Sequence, residues 1–194
     1  WNAGIKEWNI NCVRSEVKSV AKEGEGFVVR TANDVYQARA VVLAIGIQGS
    51  PRLLNIPGAD LPHIHYTLSD PDKIQGQQVV VVGAGDAGIE NALALCEKNS
   101  VVLVNRSPEL ARAKAANIKL VEDAIKRGKI HVHHSSTPKS ISQDSLTLDT
   151  PNGAVVVSCT HLIARLGAIM PRKFLESCGV KFTSESPEAP PIVN

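Results

Sequence analysis

Aromatic side chains are scarce: three Phe, two Trp and two Tyr make up 4% of the 194 residues, and there is a single Met. A Trp-rich or Tyr-rich ligand groove is therefore not expected. No sign of charge dominates either. Twenty-one Lys and Arg stand against 19 Asp and Glu, a net charge of +2, which gives no broad field for a phosphodiester backbone, and nucleic acid is not an expected partner. Apolar runs such as VVVVGAG (79–85) and AVVVSC (154–159) fall far short of the roughly 20 residues that cross a bilayer, so no membrane partner is expected. The four cysteines, Cys12, Cys96, Cys159 and Cys178, form neither a C-x-x-C pair nor a disulfide framework, which fits a reducing, cytoplasmic setting. The chain starts at Trp1 rather than Met, inside what reads as a charged turn and strand region, and is expected to be a piece of a larger protein.

What is present is aliphatic: 43% of residues are hydrophobic, 14 are Gly, and the mean hydropathy is −0.02. This composition suits an α/β domain with a Val-, Ile- and Leu-rich sheet. The segments 27–31 (FVVRT) and 35–40 (VYQARA) read as two strands joined by a hairpin, with EGEG before them as a turn. The continuous run Ala40 to Ile45, closed by Gly46, reads as a buried strand whose end is closely approached by another group. Gly- and Pro-punctuated loops follow and contain the expected domain boundary, near residue 60.

Residues 78–107 carry the clearest pattern. QVVVV predicts a buried strand, GAGDAG a tight turn, IENALALCEK a helix with Ile89, Leu93 and Cys96 on one face, and SVVLVNRS a second strand. This is the β-turn-α-β unit of a parallel sheet. A second helix is predicted from near Pro108 to Arg127, capped by Gly128, and is followed by the strand IHVHH. Beyond Lys139 the pattern becomes antiparallel, with short strands around a Pro151-Asn152-Gly153 turn and a return strand in HLIARLG. A short helix is predicted from Pro171 to Cys178, and residues 183–194 read as an extended tail or linker.

Gly83-Ala84-Gly85-Asp86-Ala87-Gly88 fits G-x-G-x-x-G between a strand and a helix. Gly83 would permit the turn, Gly85 would let a pyrophosphate reach the backbone, and Gly88 would let helix and strand pack closely. The unpaired N–H groups of the first helical turn, near Gly85 to Ala87, would face the phosphates, with Asp86 lining the site. The next strand ends in Asn105-Arg106 rather than in the carboxylate that would accept from an NAD ribose. Arg106, with Arg112 or Lys114, would instead pair with a 2′-phosphate, which favours NADP(H) over NAD(H). The same charges also fit an ordinary solvated surface.

Four ordered segments resemble the flavin-dependent pyridine nucleotide-disulfide oxidoreductases, in particular thioredoxin-reductase-like and ferredoxin-NADP-reductase-like proteins. VVLAIGIQGSPRLLNIPG (41–58) resembles the exit from the flavin domain, including Gly46, and VVVVGAGDAGIENALAL (79–95) resembles the nicotinamide fingerprint. NRSPELARA (105–113) resembles the segment meeting the 2′-phosphate, with Asn105 and Ser107 departing from it. HLIARLGAIMP (161–171) resembles the turn near the nicotinamide, so that Ala164 and Gly167 join the expected cofactor-binding set. The resemblance implies a Rossmann-like three-layer β-β-α nicotinamide dinucleotide-binding domain (61–182) with an antiparallel β-meander, preceded by remnant strands of a flavin domain (1–60). It also implies transfer of hydride from NAD(P)H to FAD in the intact parent, with this chain alone inactive.

The upstream FAD fingerprint, the closing Gly-Asp segment and the C-x-x-C are all absent, the last replaced by HIHYTLSD (63–70). The expected partners are therefore a nicotinamide dinucleotide, a missing flavin domain and an electron acceptor that the sequence does not name. An exposed flavin-domain edge would also offer a surface for homodimer pairing. A non-catalytic dinucleotide-sensing module and a flavin-containing monooxygenase-like enzyme remain alternatives. His131, His133, His134, Cys159 and His161 lack tight ligand spacing and are not expected to bind metal, and His63 and His65 read as a polar loop. No G-x-S-x-G elbow and no Tyr-x-x-x-Lys pair provides a catalytic acid or nucleophile, so no catalytic residue is assigned.

Overall fold

The computed structural model describes residues 7–8, 10–46 and 49–182. The chain divides into two units, one formed by Trp1–Gly46 with Met170–Asn194 and the other by Ile47–Ile169.

In the first unit, β1 (Val17–Glu23), β2 (Gly26–Thr31) and β3 (Val35–Ala38) make an antiparallel sheet in the order β1-β2-β3. Val20 opposite Val29 and Val28 opposite Ala21 set the register, and Val20 and Val28 are its buried residues. The expected strand at 40–45 does not form. The run is irregular, with Val42 89% and Ile45 51% exposed. A strand needs a ladder partner and a continuous apolar strand needs cover on both faces; no segment among the described residues pairs with this one.

The second unit is built on a five-stranded parallel sheet. Its strands are β4 (Ile64–His65), β5 (Gln78–Val82), β6 (Ser100–Val104) and β7 (Ile130–His133), and it is completed by a later strand described below. Helix α1 (Asp86–Leu95) connects β5 to β6, and α2 (Ala115–Lys126) connects β6 to β7. The chain then makes the antiparallel meander β8 (Thr137–Ile141), β9 (Ser145–Thr150) and β10 (Gly153–Ser158). It returns as β11 (His161–Ala164) between β4 and β5, for an order β4-β11-β5-β6-β7.

Alternation along the strands makes the three layers. Val79 and Val81 of β5, Leu103 of β6 and Ile163 of β11 join Ile89, Ala92, Leu95, Val121 and Ala124 on the helical side. Val80, Val82, Val104, Leu162 and Ala164 join Ile141, Leu146 and Leu148 on the meander side. Every side chain of Val79 to Val82 is thus buried, each contributing about 1.5–3 kcal/mol. This is why the strand reads as an unbroken apolar run: both of its faces are covered. The α/β expectation with its meander is borne out.

The helix expected from Pro108 begins only at Ala115. Two hydrogen bonds with side chains, one local and one long-range, capture groups that an earlier start would use. Asn105 Nδ2 donates to the Glu109 carbonyl at 2.9 Å, and the Lys114 N–H donates to Asp86 Oδ1 at 2.8 Å, leaving Lys114 extended at φ −63°, ψ 145°. In a continuous helix those groups would bond to residues four positions away. At the other end, Gly128 takes φ +69° and closes α2 as expected.

In the first unit, the expected short helix is α3 (Arg172–Ser177), which lies against β1 and is followed by Gly179 at φ +85°. The expected tail at 183–194 lies outside the described residues.

Candidate functional site

The parallel strands β5 and β11 are neighbours, yet the chain leaves β5 toward β6 and comes back into β11 from the meander. Their carboxyl ends therefore flank the point at which the order of connections reverses, where α/β sheets open a crevice for ligands. The glycine turn sits at this point.

Gly83 follows Val82 with φ +105°, and a Cβ there would strike the Arg165 carbonyl oxygen. At Gly88 a Cβ would strike the Gly83 carbonyl, so the first turn of α1 lies directly on the end of β5. Gly85 differs from both. Its φ is −83° and no heavy atom lies within 4 Å of where its Cβ would stand, so it borders open space. The first intrahelical bond is from the Ile89 N–H to the Gly85 carbonyl at 3.0 Å, and the N–H groups of Asp86, Ala87 and Gly88 have no intrahelical acceptor. Together these form a cradle of N–H groups at the positive end of a ten-residue helix, open on the side where Gly85 lacks a side chain. It has the form and polarity that a diphosphate requires.

Arg165 was not singled out from the sequence, yet it braces this turn. Its N–H donates to the Val82 carbonyl at 2.7 Å and its Nη1 donates to the Tyr66 carbonyl at 2.9 Å. With the Asn91 amide oriented to satisfy both of its ends, Asn91 donates to the Ala87 carbonyl at 3.2 Å and accepts from Arg165 Nε at 2.8 Å. One side chain thereby ties β11, the segment after β4 and helix α1 together. The available signal was an arginine at the end of an otherwise apolar strand, a placement that needs bonding partners.

Asp86 opens α1. Its Oδ1 accepts from the Lys114 N–H and from Asn117 Nδ2, both at 2.8 Å, and Asn117 also donates to Glu90 Oε1 at 3.1 Å. The bond from the Lys114 backbone, foremost, holds the Asp86 carboxyl below its ordinary value. Asn105 is buried; besides holding Glu109 it accepts from the Ser107 N–H through Oδ1 at 3.3 Å, and its own N–H donates to the His133 carbonyl at 2.8 Å. Arg106, Arg112 and Lys114 are exposed on the loop between β6 and α2, and among the described residues none makes an ion pair.

Ala164 is buried at the end of β11. Gly167 stands three residues on, with φ +88°, and its carbonyl accepts from the Arg52 N–H at 3.0 Å. Beside it the Ile169 N–H donates to the Ser50 carbonyl at 2.7 Å, so the 50–52 and 167–169 loops run together. Gly46 belongs to the first unit, exposed at φ +60°.

At the other end of β11, His161 stacks on His65 with ring centroids 6.0 Å apart, and the buried His161 Nδ1 and His63 Nε2 have no hydrogen-bond partner among the described residues. Burial, with the neighbouring His65 and His63, pulls the His161 pKa down. No group of three or more potential ligands is arranged for a metal among the described residues. Nor is any helix among them long and apolar enough to cross a membrane.

Comparison with known proteins assigns the class. Residues 5–191 match the family described as pyridine nucleotide-disulphide oxidoreductase, and the chain belongs to that family. Among curated relatives, a protein named ferredoxin–NADP reductase of Ignicoccus hospitalis is 31% identical over 183 residues, covering 90% of this chain and 59% of that protein. The bacilliredoxin reductase Bdr of Bacillus subtilis is 22% identical over 163 residues, covering 82% of this chain and 50% of that one. In fold, the chain superposes on the bacillithiol disulfide reductase Bdr of Staphylococcus aureus with a TM-score of 0.85 at 22% identity, over 95% of this chain and 58% of that one. The thioredoxin reductase of Lactococcus lactis gives 0.76 at 22% identity, over 89% and 58%. The chain thus spans less than two thirds of these relatives. Its second unit is a Rossmann-like dinucleotide-binding domain, and the sheet of the first is consistent with strands of a flavin-binding domain.

Proposed function

We propose that the second unit binds a nicotinamide dinucleotide, NADPH in preference to NADH, and serves as the hydride-donor half of an FAD-dependent reductase. The observation that carries this reading is the open Gly85 cradle at the N-terminus of α1, set where β5 and β11 part. The backbone N–H groups of Asp86, Ala87 and Gly88 take the diphosphate, while Gly83 and Gly88 allow the turn to form beneath it. Arg106 and Arg112, exposed and, among the described residues, without acidic partners, take the 2′-phosphate through charge-assisted hydrogen bonds. Asn105 acts on the ligand indirectly, by holding the loop that carries them.

Toward the nicotinamide end, Ala164 and Gly167 keep the carboxyl end of β11 free of bulk. The bound nicotinamide supplies a hydride, and FAD in the longer protein accepts it. Gly46 lies in the segment that resembles the exit from the flavin domain. The absence of C-x-x-C from this chain assigns the electrons to an acceptor other than a neighbouring dithiol here. A cytoplasmic setting and pairing of two copies accompany this reading.

Calorimetric titration of the 194-residue chain with NADPH and NADH tests it. Tighter binding of NADPH, abolished by Gly85→Ala and brought to the NADH level by Arg106→Ala, is expected. Failure of both dinucleotides to bind at millimolar concentration overturns the reading, and equal affinities overturn the NADPH preference. Sustained NADPH oxidation by the purified chain, with FAD bound stoichiometrically, would refute the assignment of this chain as one half of the machinery.

A further inference from the structure

The Asp86 carboxylate stands at the first residue of α1, beside the groups that take a diphosphate, yet its Oδ1 bonds to the entry of α2. The segment between β6 and α2 carries Arg106, Arg112 and Lys114 and has no helical or strand structure of its own before Ala115. It is fastened near its start, where Asn105 holds the Glu109 carbonyl and the Ser107 N–H, and at its end, where Asp86 holds the Lys114 N–H. Asn117, shared between Asp86 and Glu90, keeps the second fastening in place.

Resting on the dinucleotide reading above, we propose that Asp86 is a specificity-determining residue, which secures discrimination for NADPH by holding the cationic loop through the Lys114 N–H. A long cationic side chain on a loose loop must be ordered when it meets a phosphate, and ordering it beforehand lowers that cost. The benefit falls on the dinucleotide whose extra phosphate meets the loop. NADH, held by the α1 backbone, gains little.

The charge of Asp86 by itself would act in the opposite sense. A carboxylate near the site repels the more highly charged NADPH more strongly, so neutralising it without loss of the tether would raise the preference for NADPH. The two effects are separable by substitution.

The test measures the dissociation constants of both dinucleotides by calorimetry for the unaltered chain, Asp86→Ala and Asp86→Asn, with circular dichroism to establish folding. Asp86→Ala is expected to lower the NADPH-over-NADH preference about fivefold, chiefly through weaker NADPH binding, within the range for ordering one long side chain. Asp86→Asn retains an oxygen acceptor and is expected to keep or raise the preference. A folded Asp86→Ala with an unchanged or increased preference overturns the proposal, as does an equal loss in both variants.

Should Asp86→Ala fail to fold, Lys114→Pro against Lys114→Ala tests the same bond from its donor. The φ of −63° at Lys114 suits proline, which removes the N–H, whereas alanine removes only the cation. A lower preference in the proline variant supports the tether, and equal values overturn it. If the unaltered chain binds neither dinucleotide or both alike, the dinucleotide reading itself fails. If it prefers NADPH and the folded Asp86→Ala keeps that preference undiminished, only the role of Asp86 fails.

Discussion

The carbonyl of Arg165 fills the space that a side chain on Gly83 would need, so the end of β11 and the turn after β5 are fitted to each other at the level of backbone. Gly83→Ala has to accommodate both that oxygen and a φ of +105°. It is expected to destabilise the second unit by at least about 2 kcal/mol, from strain and overpacking together. Gly85→Ala meets neither obstacle, since its φ is ordinary and its surroundings are open. Urea unfolding is expected to change by less than about 1 kcal/mol for Gly85→Ala, while dinucleotide binding is lost. Two glycines of one motif are thus expected to separate into a folding role and the proposed binding role, and the pair of unfolding curves with dinucleotide titrations checks the division.

The side chain of Arg165 makes a second, distinct prediction. Removing it leaves the Tyr66 carbonyl and the Asn91 amide oxygen without their donor. Hydrogen bonds to a charged group contribute about 1.5–3 kcal/mol, and Arg165→Ala is expected to lose an amount in that range. Lysine supplies a charge but not the planar fork that reaches both acceptors, so Arg165→Lys is expected to recover only part of the loss. Thermal unfolding of the two variants measures the difference.

The local pattern that carried chemistry was legible because it is short-range. Strand, glycine turn and helix follow one another within residues 78–95, and burial on both faces writes β5 as a plain apolar run. What was not legible depends on partners distant in the chain. Ile64–His65 becomes a strand only because Leu162 and Ile163 lie beside it, and two residues carry no periodicity to read. The run at 40–45 has strand composition but no ladder partner among the described residues. Asp86 and Lys114 are 28 residues apart, and their bond holds Lys114 extended just before α2 starts at Ala115. Propensity alone cannot weigh such bonds against another turn of helix.

His161 at the amino end of β11 and His133 at the carboxyl end of β7 make stability depend on pH. The pKa of His161 is lowered by burial and then by His65 and His63, and that of His133 is lowered by burial and then by His131. In each case the unfolded chain takes up a proton more readily than the folded one. Stability is therefore fully present above the ordinary histidine value of about 6.5 and falls as the pH drops through it toward the folded values. Urea midpoints between pH 7.5 and pH 5 are expected to decline. His161→Gln is expected to flatten part of that decline, and His133→Gln a further part. A slope unchanged in both variants would assign the decline to other groups.

The cysteines give a prediction that bears on electron transfer. Cys159 is fully buried between sheet and meander, and burial pushes its thiol up to about 12; Cys96, buried at the C-terminal end of α1, is also raised, chiefly by burial. Since the thiolate is the reactive form, neither serves as a ready redox group in the folded chain near neutral pH. Cys12 is exposed and Cys178 partly so. With a thiol-specific chromogenic reagent at pH 8, Cys12 is expected to react first and Cys178 more slowly, while Cys96 and Cys159 become available only with denaturant. Rapid modification of all four without denaturant would contradict the burial, and would return a thiol relay through this chain to consideration as the route by which electrons leave.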